Sequence, residues 1–92
     1  MLREVRLETI LGAGLRGVNG ELIGRIRDVS AEWSEDAWIV RGLVLEPALA
    51  RLRALLPSRS LRRIVVPWNV VDWTDPRRPR LRVGIDFLEG LL

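Results

Sequence analysis

The chain has 92 residues, 48% of them apolar, with fifteen basic side chains against twelve acidic ones and a net charge of +3. A chain of this size builds one small core, burying about 60–65% of the surface its unfolded form exposes. It contains neither Cys nor His, which excludes a disulfide framework, a thiol nucleophile, an imidazole base and the usual zinc sites, and with them most catalytic designs.

Every basic residue is Arg, so the high isoelectric point mainly records guanidinium groups that stay charged far above neutral pH. No apolar run approaches the roughly 20 residues of a membrane-spanning helix, and Met1-Leu2-Arg3-Glu4-Val5-Arg6 lacks the apolar core of a secretion signal. A soluble, cytoplasmic, single domain over 1–92 is expected.

In chain order, Glu4 to Leu11 reads as a first extended segment and Gly12, Gly14 and Gly17 as a flexible connection. Val18-Asn19-Gly20-Glu21 predicts a hairpin bend of type I′, with Gly20 structural. Leu22 to Val29 is read as a strand despite the helical recurrence of Leu22, Ile26, Val29 and Trp33, because the turn before it and Gly24 within it oppose a helix. The parity change between Ile26 and Val29 then requires a bulge near Arg27 or Asp28. After the polar turn Ser34-Glu35-Asp36, Ala37 to Leu45 is the strongest strand, with Trp38, Val40 and Val44 on one face and Arg41, Leu43 and Leu45 on the other.

Glu46 to Leu56 predicts an inserted helix of about three turns, Pro47 at its first position and Leu49, Leu52, Leu55 and Leu56 in one stripe, stopped by Pro57 and followed by the linker Ser58-Arg59-Ser60. Ile64-Val65-Val66 is β-branched and strand-like, and Pro67-Trp68 forms a structural corner before a second extended piece with Val70, Val71 and Trp73. Thr74 to Pro79 is a proline-bounded turn and Arg80-Leu81-Arg82-Val83 a half-buried strand. The apolar tail 85–92, carrying Phe87, Leu88, Leu91 and Leu92, packs on the barrel, on a second copy or on another domain.

Ile10-Leu11-Gly12, Asn19-Gly20-Glu21-Leu22-Ile23-Gly24-Arg25-Ile26-Arg27-Asp28-Val29, Val40-Arg41-Gly42-Leu43-Val44-Leu45 and Val65-Val66-Pro67-Trp68-Asn69-Val70-Val71 together resemble, in order and spacing, the PRC-barrel family. That family includes the cytoplasmic domain of the photosynthetic reaction centre H subunit and the C-terminal domain of the bacterial ribosome maturation factor. The resemblance covers about residues 7–84 and implies a small all-β barrel of about six strands that binds partners and carries no catalytic residues; no cofactor or metal is expected. The chain departs from it in the Leu-rich insertion at 46–56 and in the tail.

Three partner classes follow. Trp33, Leu43, Leu45, Leu49, Leu52, Leu56 and Trp73 supply apolar surface for a protein partner, with a homodimer the simplest case. Arg51, Arg53, Arg59, Arg62 and Arg63, and Arg77, Arg78, Arg80 and Arg82, are candidate phosphate or RNA contacts if the two clusters converge. A cytosolic accessory role beside a membrane complex is the third. Trp38 and Trp68 are expected in the core, Asp28 and Asp72 are expected to pair with Arg or cap backbone, and no small-molecule substrate is expected.

Overall fold

The computed structural model describes residues 6–56 and 63–91. Among them, six strands form a single sheet in the order β4-β3-β2-β1-β6-β5. They are β1 (Gly14–Arg16), β2 (Leu22–Ser34), β3 (Ala37–Pro47), β4 (Ile64–Pro67), β5 (Val71–Asp72) and β6 (Arg80–Leu81), with three short helices, α1 (Leu7–Ile10), α2 (Ala50–Leu55) and α3 (Ile85–Gly90). All neighbours pair antiparallel except β1 with β6.

The sheet is strongly curled, and the connection between its two edges shows why. Edge strands β4 and β5 are joined by one turn of 3-10 helix, Trp68–Val70. Six strands laid flat would set those edges roughly 24 Å apart, whereas a three-residue 3-10 turn advances only about 6 Å. The sheet must therefore wrap until its edges nearly meet, and the Arg82 amide, just past β6, donates to the Val70 carbonyl at 2.8 Å, which extends the β5–β6 ladder back to the corner. Pro67 suits the place because its φ of −57° is already that of the ring and it owes no hydrogen bond to a ladder that ends there.

Inside the curl lie Leu15, Ile23, Ile26, Leu43, Leu45, Ile64, Val66, Val71, Trp73 and Leu81, all buried. Leu43 and Leu45 point into the curl, and a second bulge, Ser30 facing Gly42 while Ala31 faces Val40, leaves Arg41 extra and puts Trp38 and Val40 on that same face, where they are nevertheless exposed because they lie beyond the body. Trp68 is half-buried and stacks on Trp73 at 4.4 Å between ring centroids. The indole expected at the surface, Trp73, is thus the deeper of the two. Each helix closes an opening of the curl with one side chain: Ile10 from α1, Leu52 from α2 and Leu88 from α3 are fully buried. The tail accordingly folds back on its own sheet, and an Arg51–Glu89 ion pair ties α3 to α2.

Several local readings need correction. Residues 7–10, read as extended, make one helical turn, because Ile10 lies three residues beyond Leu7 and the turn carries it inward. Three short helices, not one, flank the sheet. The insertion is helical only over 50–55, since β3 runs on to pair Pro47 with Gly24, so Pro47 ends the strand instead of opening the helix, and Pro57, expected to stop it, lies outside the described residues. The predicted bulge is present, Ile26 facing Leu45 while Asp28 faces Val44, which leaves Arg27 as the extra residue. Gly24 permits the close approach there: a Cβ on it would overlap the Glu46 carbonyl oxygen.

The two hairpin turns exchange the expected chemistry. The β1–β2 loop closes with Gly20 N–H on Gly17 O at 3.0 Å and Gly17 N–H on Glu21 O at 2.8 Å, and only Gly20 is left-handed, at φ +86°. That is the three-residue loop with a left-handed final position. The two-residue turn with both φ positive is instead Glu35 (48°) and Asp36 (65°), at the end of β2–β3.

Candidate functional site

Strands β2 and β3 are far longer than their neighbours, and this builds the most exposed feature of the molecule. β1 pairs with β2 only through Arg25, and β4 pairs with β3 only from Gly42 to Leu45. From Asp28 to Ser34 and from Ala37 to Arg41 the pair continues as a ribbon whose two outer edges face no strand among the described residues. At about 3.3 Å per residue it reaches roughly 20 Å beyond the curled body.

The Glu35-Asp36 turn sets the register Ser34↔Ala37, Trp33↔Trp38, Glu32↔Ile39 and Ala31↔Val40. Because strand side chains alternate, Ala31, Trp33, Trp38 and Val40 share one face. The two indoles meet edge to face, 5.4 Å between centroids and 69° between planes, an arrangement worth about 0.5–1.5 kcal/mol beyond area burial. Even so, Trp33 is 58% and Trp38 68% exposed, leaving on the order of 300 Å² of indole uncovered. On the other side Glu32 Oε1 accepts from Arg41 Nη2 at 2.6 Å, an exposed pair that contributes under about 1 kcal/mol. Residues 28–41 carry four acids against one arginine.

Among the apolar positions expected to meet a partner, only Trp33 is openly exposed. Leu43, Leu45, Leu52 and Trp73 are core residues, and Leu49 and Leu56 are partly buried against that core. They are covered by this chain itself: the curl takes up Leu43 and Leu45, and the α2 cap takes up Leu52. Trp38, expected inside, is the most exposed large apolar side chain of those described, and Ile39 and Val40 join it. A signal for this was present, since Trp33 and Trp38 lie symmetrically about Glu35-Asp36 and a two-residue turn puts them face to face.

The arginines regroup. Arg77, Arg78 and Arg80 line a cavity of about 540 Å³ together with Arg16 and Arg25, which the sequence reading passed over. Arg80 is brought there by the parallel β1–β6 pairing opposite Arg16, and Arg25 by its register with Gly14. Asp75 shapes the turn that carries the other two, accepting the Arg77 amide on Oδ1 at 3.1 Å and the Arg78 amide on its carbonyl at 2.9 Å. Among the described residues the two clusters do not converge: Arg51 is held by Glu89, Arg53 lines a separate hollow beside Arg27 and Glu46, and Arg63 and Arg82 stand outside the cavity. Arg59 and Arg62 lie outside the described residues. Asp28 caps the Val29 amide at 2.8 Å and Asp72 bonds the Thr74 amide and hydroxyl at 2.9 and 2.6 Å, so both hold backbone as expected.

No helix of the described residues is long and apolar enough to cross a membrane. Comparison with protein-family models and with curated proteins returned no match for this chain.

Proposed function

We propose that the protein is a non-enzymatic binding module of the PRC-barrel type whose docking element is the β2–β3 ribbon, and that the ribbon's first partner is a second copy of the chain. The observation that carries this reading is the Trp33–Trp38 pair, two indoles mostly open to water on a ribbon whose edges pair with no strand among the described residues. Tryptophan is concentrated at interface centres because a rigid, two-torsion side chain covers much area at small entropic cost. The PRC-type assignment is supported by the six-stranded curl, the glycine hairpin at 17–21 and the Pro67-Trp68 corner that joins the sheet edges.

The second copy is favoured by charge. Apolar face on apolar face in antiparallel fashion, the two acidic tips at Glu35-Asp36 part from one another, and each approaches the arginine-rich body of its mate. A ribbon-sized contact lies at the small end of specific interfaces, so the association is weak and reversible. Sedimentation velocity over a micromolar-to-millimolar concentration series tests this. Wild type is expected to shift from monomer toward dimer, less strongly at high salt as the attraction between acidic tip and arginine-rich body is screened, and W33S/W38S to remain monomeric while still unfolding cooperatively. Equal self-association of both chains, or none of either, would defeat the reading.

A further inference from the structure

The arginine cavity stands apart from the ribbon and does not depend on it. Five guanidinium groups, Arg16, Arg25, Arg77, Arg78 and Arg80, share one hollow whose remaining lining is Gly14, Gly20 and Leu22, without a carboxylate. None of the five forms an ion pair with a described residue, whereas Arg6, Arg27, Arg41 and Arg51 each do. Two are held in place by neutral backbone acceptors, Arg16 Nη1 on Gly20 O and Arg25 Nη1 on Gly12 O, each at 3.2 Å. Those bonds fix the side chains without neutralising them, and each guanidinium keeps further donors for a ligand. Like charges gathered with no counter-charge favour bound anions, and the planar guanidinium fork matches phosphate oxygens in pairs.

We infer that this cavity binds a compact oligophosphate, an anion carrying three or more negative charges on a short run of linked phosphates, free or as part of a small molecule. Charge density and shape select it. A hollow of about 540 Å³, equivalent to a sphere roughly 10 Å across, is of small-ligand size. A triphosphate brings its whole charge into such a space. A duplex is too wide to enter, and a single strand delivers one charge per nucleotide and gains most from aromatic stacking platforms, of which the lining has none.

Titration calorimetry with sodium triphosphate on the full chain, at about 50 and 300 mM NaCl, tests the assignment. Saturable one-to-one binding is expected, at least about fivefold weaker at the higher salt as screening grows. R77S/R80S, both at exposed positions, should lose at least tenfold in affinity. R78E, a second route to the same loss, should behave alike. R63S/R82S removes the same charge outside the cavity and should change affinity less than about threefold. Equal losses in the two double variants would reduce the effect to net charge and overturn the proposal, as would the absence of saturable binding at millimolar triphosphate. A short single-stranded RNA that binds more tightly than triphosphate would overturn the compact-anion assignment in favour of an extended backbone.

Discussion

The same two strands, β2 and β3, serve as core in one half of their length and as free surface in the other. Between Ile23 and Ile26, and between Leu43 and Leu45, neighbours β1 and β4 continue the sheet, it curls, and the inward side chains are fully buried. A few residues on, the neighbours stop and residues 31–33 and 37–41 are exposed although the cross-strand ladder continues. Intrinsic strand character therefore does not separate core from surface here. What separates them is whether a third and a fourth strand are present to close a curved layer, since a two-stranded ribbon alone is marginal in water.

Substitutions can break this contrast. The largest difference is expected between indoles: Trp73→Ala, in the curl, should cost about 3–5 kcal/mol in denaturant unfolding, while Trp38→Ala, on the ribbon, should cost about 1 kcal/mol or less, mainly the lost aromatic pair. Similar costs at the two sites would mean that the ribbon is packed as the body is. Next, Gly24→Ala should cost about 1–3 kcal/mol, because the added methyl meets the Glu46 carbonyl and must push β2 from β3. In the opposite direction, Asp36→Gly should stabilise the fold by about 0.5–1 kcal/mol, since a left-handed φ of 65° strains a residue with a Cβ. Smallest of all, Glu32→Ala should change stability by less than about 0.5 kcal/mol, its ion pair with Arg41 being solvated on both sides.

Much of the body was legible in the sequence because it obeys local rules. β-branched Ile64-Val65-Val66 makes a strand, Pro67 ends it, and the parity slip after Ile26 becomes a bulge at Arg27. The misreadings share a cause. Where along β3 the inner face stops being core is not a local property: the bulge at Arg41 brings Trp38 and Val40 onto the face of Leu43 and Leu45, and their exposure falls to strands β1 and β4, whose short lengths the sequence does not announce. The turns were confused because Asn-Gly favours a two-residue bend, yet Gly17 supplies the carbonyl and amide that close a three-residue loop instead, while Glu35-Asp36 accepts the left-handed pair that glycine would take at less strain. The arginine cavity needed tertiary information throughout, since Arg16 and Arg25 join Arg77, Arg78 and Arg80 only through the β1–β6 and β1–β2 pairings.

The central claim, that the ribbon is the docking element and the body is not, is tested most directly by hydrogen exchange of the backbone amides followed at low and at high protein concentration. Outward-facing amides between Asp28 and Arg41 should exchange fast when dilute and become protected as concentration rises, while protection in β1, β4 and the core half of β2 stays constant. Protection that grew instead over α2 and α3, or ribbon amides as slow in dilute protein as those of the curl, would contradict it.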